Sequence, residues 1–403
     1  MKQIQWSSAG LIFLLLLTGL PALSQTGFFP EVDALSQNYV KKPKNKGLSI
    51  GIVYKGQARF TGYGRLSKDK PESPGEHTIF ELGAVSSVFT TTLLAMMEDR
   101  QQLLAGTTIQ QVLPQGYEAP VFTPERCVAT AVPGAPEKTV VTCAPDPFAA
   151  PEQITLCQLA YHHSGLTCSC GELYKWNPFI NTDFDPEQPK DVPSAADFFR
   201  EAEGFLFTNR PGEKFTFSNI GIAYLGNLLA SYRNVTFGVL LSKEITQPLG
   251  MEDTRIKLLP QQETRLATGH NAKGQATAPW NFQGMAPAAG IKSSAFDLVQ
   301  FLQVNLKPGN VLSEGAALLA QQSMAAIHFP GRPHDTMAAY GWLVTTDAAN
   351  RVVHWINGGT AGFRAFMGFD RNRQIGVVVL SNSADDVTEL GMSIIGVLQA
   401  KQE

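Results

Sequence analysis

A chain of 403 residues, 44% apolar and 17% charged, carries the material for a sizeable core and is no disordered tract. Its 32 Lys and Arg against 35 Asp and Glu give a formal charge of −3, which excludes a basic footprint for nucleic acid and an acidic tail. The 36 Gly and 25 Pro follow no collagen-like period, so a loop-rich mixed α/β globule remains.

The first residues read as a secretory signal. Lys2 supplies the positive start, residues 9–17 form an apolar run too short to span a bilayer, Pro21 breaks it, and Ala22 and Ser24 place small residues for cleavage before Gln25. This divides the chain into a signal peptide at 1–24 and a mature domain at 25–403. No Cys stands near the cleavage point to take a lipid, and no later stretch reaches transmembrane length. The expected address is periplasmic or secreted.

A short polar helix is expected near 29–39. Residues 48–54 and 58–64 read as a hairpin about Lys55-Gly56-Gln57. Residues 88–100 are apolar nearly all round, as in a buried central helix. The Pro-rich stretch at about 115–153 reads as an insert. Within it Cys127 and Cys143 flank two β-rich runs around Pro133-Gly134-Ala135-Pro136, so a disulfide between them is expected, worth about 3 kcal/mol by loop entropy. Of the remaining Cys157, Cys168 and Cys170, one of the last two can reach Cys157, leaving an odd thiol. A zinc site from these cysteines with His162 and His163 is the competing idea, but the spacing fits no zinc pattern well. Residues 154–302 mix short helices with loops. Strand-like runs follow at 339–346, 352–355, 363–370 and 374–381, the last two joined at Arg371-Asn372-Arg373, before an amphipathic helix at 387–402. Strands at both ends with helices between predict an α+β fold: one antiparallel sheet built from both chain ends, flanked by helices, with an all-α lobe inserted.

Six runs, in this order, resemble the penicillin-recognising serine hydrolases, the class C β-lactamases and D,D-peptidase-like enzymes. Phe80-Glu81-Leu82-Gly83-Ala84-Val85-Ser86-Ser87 is similar to their FELGSVSK. Ile154-Thr155-Leu156 with the run 159–166 resembles ITxxxLLTHTSGL, in which His162 matches the family's structural His. Pro211-Gly212-Glu213 with Phe217-Ser218-Asn219 is similar to PGxxxxYSN. Pro248-Leu249-Gly250-Met251 with Thr254 is similar to PLGMxxT, the run 289–294 with Asp297 to GGLxST-x-x-D, and Gly358-Gly359-Thr360-Ala361-Gly362-Phe363 to GGTPGF. The resemblance implies a β-lactamase/transpeptidase-like fold with its site between sheet and helical lobe, at the start of the central helix.

In that family a Ser opens the helix as nucleophile and a Lys one turn later shares its proton. A Tyr from the lobe shuttles protons, a Lys or His on the facing strand adds charge, and backbone amides form the oxyanion hole. Here the nucleophile position is Ala84, the Lys position Ser87, the Tyr position Phe217, the strand cation position Ile356 and the following Thr position Asn357. Asn219, Gly358 and the oxyanion-type amides of Ala84 and Gly359 remain. The losses agree with one another: Ser to Ala and Tyr to Phe keep shape and delete an oxygen, and without a nucleophile a buried Lys is an unpaired charge. Loss of such a nucleophile lowers kcat about a million-fold.

Rescue by Ser86 or Ser87 lacks a Lys three residues on, where Phe89 and Thr90 stand. Ser67-Lys68-Asp69-Lys70 spells S-x-x-K in a charged loop. His354 shares a strand face with Ile356 and is a candidate replacement for the missing His. Glu81 and Asp297 read as structural members of their motifs. The sequence therefore leads to an exported, catalytically inactive relative that binds peptidoglycan-like peptides, β-lactams or small esters and amides. The alternatives are a serine hydrolase with a displaced nucleophile such as Ser86 or Ser87, and a structural or partner-binding protein with a vestigial pocket. No cofactor or metal is called for, nucleic acid and stable membrane insertion are not expected, and a protein partner would use the 115–153 insert.

Overall fold

The computed structural model describes residues 29–133, 135–166, 194–202, 205, 207–322, 325–327 and 336–402. The expected signal peptide, Cys168 and Cys170 lie outside them. The chain opens with helix α1 (Pro30–Val40) and the hairpin β1 (Gly47–Tyr54) and β2 (Gln57–Gly64), which turns at Lys55 and Gly56, both with positive φ. Short strand β3 (Ile79–Glu81) leads to a single 3₁₀ turn and the central helix α2 (Ser86–Asp99). A two-stranded ribbon, β4 (Glu125–Val132) and β5 (Ala135–Pro145), follows. Helix α3 (Asn219–Tyr232), strand β6 (Lys292–Ser294), and helices α4 (Ala295–Leu306) and α5 (Glu314–Gln321) complete the middle. The C-terminal part holds β7 (Ala325–Ile327), β8 (Thr336–Ala338), β9 (Leu343–Thr346), β10 (Val352–Gly359), β11 (Arg364–Asp370), β12 (Ile375–Ser381) and helix α6 (Thr388–Ala400).

The main sheet runs β7-β8-β9-β10-β11-β12-β1-β2, antiparallel throughout, so both chain ends share one sheet. Alternation along β12 explains the layers. Val377 and Val379 pack outward with Ile50, Trp355 and Phe366 beneath α1 and α6, whereas Val378 and Leu380 pack inward with Ile356, Met367 and Phe369 against the helical core. Helix α2 lies inside that core with Ser86 through Met97 all buried, which accounts for its lack of a polar face. Of the expected strand 339–346 only 343–346 is strand, β9; β8 lies just ahead of it, and residues 339–342 between them turn at Gly341 (φ +68°), where the chain passes Ser87, Val88 and Thr91 of α2. Strand β10 runs four residues beyond the expected 352–355, into the Gly pair that packs on the start of α2.

The Cys127–Cys143 disulfide is present and joins directly opposed residues of the β4–β5 ribbon. Every described side chain of the ribbon is exposed, including Val128, Val140 and Val141. It lends nothing to the core, so the crosslink, closing a separation of 16 residues, is worth about 3 kcal/mol to the ribbon alone. In Cys127→Ser, amide exchange at 125–145 should accelerate while the thermal transition of the body moves little, as hydrogen exchange and calorimetry will show. Among the described residues, one group of metal-capable side chains comes close together, Glu125 with Cys127 and Cys143, and its sulfurs are joined in this disulfide. Cys157 carries a free, half-buried thiol. No described helix is long and apolar enough to cross a membrane.

Candidate functional site

The start of α2 and the end of β10 meet backbone to backbone. A Cβ on Gly358 would stand 2.2 Å from the Leu82 carbonyl oxygen and 2.6 Å from the Ala84 nitrogen. One on Gly83, whose φ is +54°, would stand 2.4 Å from the Gly359 nitrogen. Only glycine permits this crossing, and it brings the amides of Ala84 and Gly359 together at the helix start. Ala84 occupies the 3₁₀ turn with 9% of its surface exposed.

The hydroxyls that follow are engaged elsewhere. Ser87 Oγ donates to the Ala84 carbonyl at 2.7 Å, one helical turn back, and Ser86 Oγ accepts from the Ile291 amide at 3.0 Å. Both residues are buried. Ile356 points inward from β10 into the core, and Asn357, on the opposite face, donates to Thr388 Oγ1 at 2.9 Å. His354 also points inward, but its Nε2 bonds the Gln321 carbonyl at 3.0 Å and its ring stacks on Phe369, 5.0 Å between centroids. Nε2 must donate to that carbonyl, so its proton is on Nε2. Burial holds His354 below the ordinary imidazole range, hence neutral. No hydrogen bond joins His354 to Ser86 or Ser87.

The Phe217 position belongs to the lobe. The turn at His162 docks on the loop before α3: the Thr216 amide donates to the His162 carbonyl and the Gly212 amide to the His163 carbonyl, each at 2.7 Å. Gly165 (φ +72°) is needed because a Cβ there would lie 2.1 Å from the Asn209 carbonyl oxygen. His162 is fully buried, and its Nδ1 accepts the Ser218 amide at 3.0 Å. Burial first, then the neighbouring His163, pushes its pKa down to about 3. Phe217 lies over the His162 ring at 4.5 Å and is 38% exposed. Ser218 caps α3 through the Gly221 amide, and Asn219 begins the helix, nearly buried.

Two acidic motif residues hold the scaffold. Asp297 accepts from the Asp253 amide at 2.8 Å and from Thr254 Oγ1 at 2.7 Å, tying the Pro248–Thr254 turn to α4. Burial raises its pKa to about 6. Glu81 accepts the Trp280 amide at 2.7 Å and faces Lys292 Nζ at 3.9 Å, a buried pair across β3 and β6. The partner Lys292 escaped the sequence reading, since its motif position carries no signal of charge; the β3–β6 register supplies it. Ser67 Oγ accepts the Asp69 and Lys70 amides in a loop, so the S-x-x-K there builds a turn.

This sheet, lobe and helix start define the penicillin-recognising serine-hydrolase architecture. The family model "Beta-lactamase" matches residues 32–399, and the chain belongs to that family. It is 24% identical over 278 residues to a β-lactamase of Providencia stuartii, covering 69% of this chain but 60% of that protein's length. It is 23% identical to a β-lactamase of Pseudomonas fluorescens over 87% of this chain and 92% of that one. Among solved structures, an octameric penicillin-binding protein homologue from Pyrococcus abyssi superposes with TM-score 0.74 at 18% identity, over 92% of this chain and 77% of that one. A β-lactamase/D-alanine carboxypeptidase from Yersinia pestis superposes with TM-score 0.69 at 17% identity, over 92% and 97%.

Proposed function

We propose that this chain is an exported member of the family whose pocket binds its ligand without acylation. The ligand class is the one the family's architecture suggests: a peptidoglycan stem peptide, a β-lactam or a related small amide or ester. One observation carries the reading. Ala84 stands where the nucleophile would be, and the two nearest hydroxyls, Ser86 and Ser87, are buried and hydrogen-bonded to backbone. No attacking oxygen remains at the helix start, and backbone amides alone do not replace a nucleophile worth about a million-fold in kcat. The exposed disulfide ribbon fits an oxidising compartment.

The test is intact-protein mass spectrometry after incubation with a fluorescent penicillin and, separately, a fluorophosphonate, together with equilibrium dialysis of the same penicillin. The expected result is an unmodified mass with saturable, reversible binding. A covalent adduct mapping to Ser86 or Ser87 overturns the proposal in favour of a displaced nucleophile. Absence of reversible binding by any of the ligand classes leaves a vestigial pocket and overturns the binding role.

A further inference from the structure

A cavity of about 1030 Å³ opens within the helical lobe. None of Ala84, Phe217, Asn219, Ile356 or Gly358 lines it. Helix α3 connects the two places: its first residue, Asn219, belongs to the candidate cleft, while Ala230 near its other end lines the cavity. The apolar wall includes Phe199, Ala230, Phe237 and Leu241, all buried. This volume lies at the upper end of those that hold small-molecule ligands.

The charges on the wall have one sign. Among the described lining residues the charged side chains are Arg255 and Lys257. The Arg255 backbone is fixed by two hydrogen bonds to Lys292, at 2.9 and 2.8 Å. Its guanidinium enters no ion pair among the described residues, and its Nε is buried without a hydrogen-bond partner. Arg255 as a whole is half-buried and borders the cavity, where a guanidinium can recognise a carboxylate through paired donors.

We propose that this cavity is a binding site for an amphiphilic carboxylate of the fatty-acid type, its chain against Phe199, Phe237 and Leu241 and its carboxylate on Arg255. The apolar wall selects the chain and the single-sign rim selects the head. This site works independently of the fate of the cleft at Ala84.

The mature chain titrated with palmitate below its micellar concentration, followed by calorimetry, tests the proposal, with hexadecanol as the uncharged chain and acetate as the anion alone. Wild type should bind palmitate saturably, and Arg255→Met should weaken it about ten- to a hundredfold while hexadecanol binding stays unchanged. Gly238→Trp places a ring at the rim, where a Cβ would meet only Ile256 at 3.7 Å. This variant should stay folded by circular dichroism and lose both chain ligands. Acetate should bind far more weakly than palmitate. Absence of saturable palmitate binding by folded wild type, equal affinity in Arg255→Met, or equal losses of palmitate and hexadecanol in that variant overturns the proposal. So does palmitate binding that survives in folded Gly238→Trp.

Discussion

Restoring the four missing groups together, Ala84→Ser, Ser87→Lys, Phe217→Tyr and Ile356→Lys, should give a protein that takes a covalent penicilloyl adduct, which the parent chain should not. The family's fold leads us to expect these four positions around one cleft. Position 84 sits at the crossing of α2 and β10, position 87 lies one turn further on the same helix, position 356 faces inward from β10, and the Phe217 ring is held over His162. The order of restoration has its own signature. Ser87 is buried, and an ammonium introduced there alone has no anion or restored hydroxyl beside it, a loss of about 3–5 kcal/mol. Part of that loss should return in the fourfold variant, where a nucleophilic hydroxyl and a phenol can accept from the ammonium. Urea unfolding of the single and fourfold variants measures this non-additivity, and intact-mass analysis measures the adduct. A fourfold variant that is folded and takes no adduct would show that the pocket has lost the shape as well as the groups.

The elements that bury a regular stripe were legible from sequence: the opening hairpin, the central helix and the final strands each announce themselves by period. The family motifs were legible because they serve packing, and packing survives here. Gly83 and Gly358 are kept since any side chain would strike the facing backbone, and Asp297 since it ties the Thr254 turn to α4. What stayed hidden depends on partners distant in the chain. Nothing in the local sequence says that His354 is spent on the Gln321 carbonyl, or that the Ser86 hydroxyl serves the Ile291 amide. The Glu81–Lys292 pair is fixed by register across 211 positions of chain, and β8 and β9 are separated by a glycine that must pass the central helix. The site was thus readable as residue types, and the engagement of its hydroxyls and imidazole only as hydrogen bonds.

The stability of the protein should depend on pH through two buried groups of opposite sign. His162 is held neutral, its pKa lowered to about 3 chiefly by burial, while the unfolded chain takes up a proton near 6.5. Its contribution is fully present above pH 6.5 and is lost as pH falls toward 3, by about 3 kcal/mol at pH 4.5. Asp297 is the reverse. Burial raises its pKa to about 6 against 3.8 in the open chain. The folded state therefore favours the protonated acid, and this contribution is fully present below pH 3.8 and lost as pH rises through 6, amounting to about 2 kcal/mol at pH 4.5. In the wild type the two nearly offset between pH 6 and 4.5. Asp297→Asn removes the compensating group, so this variant should lose stability more steeply on acidification than wild type. His162→Asn, chosen because asparagine tolerates the left-handed backbone at φ +58°, should instead hold or gain stability over the same interval. Urea unfolding at pH 7 and pH 4.5 reads both. The other carboxylates contribute equally to all three proteins, so the comparison isolates these groups. Parallel pH dependence in the three would show that neither side chain is buried as tightly as the docking of the His162 turn on the Phe217 loop requires.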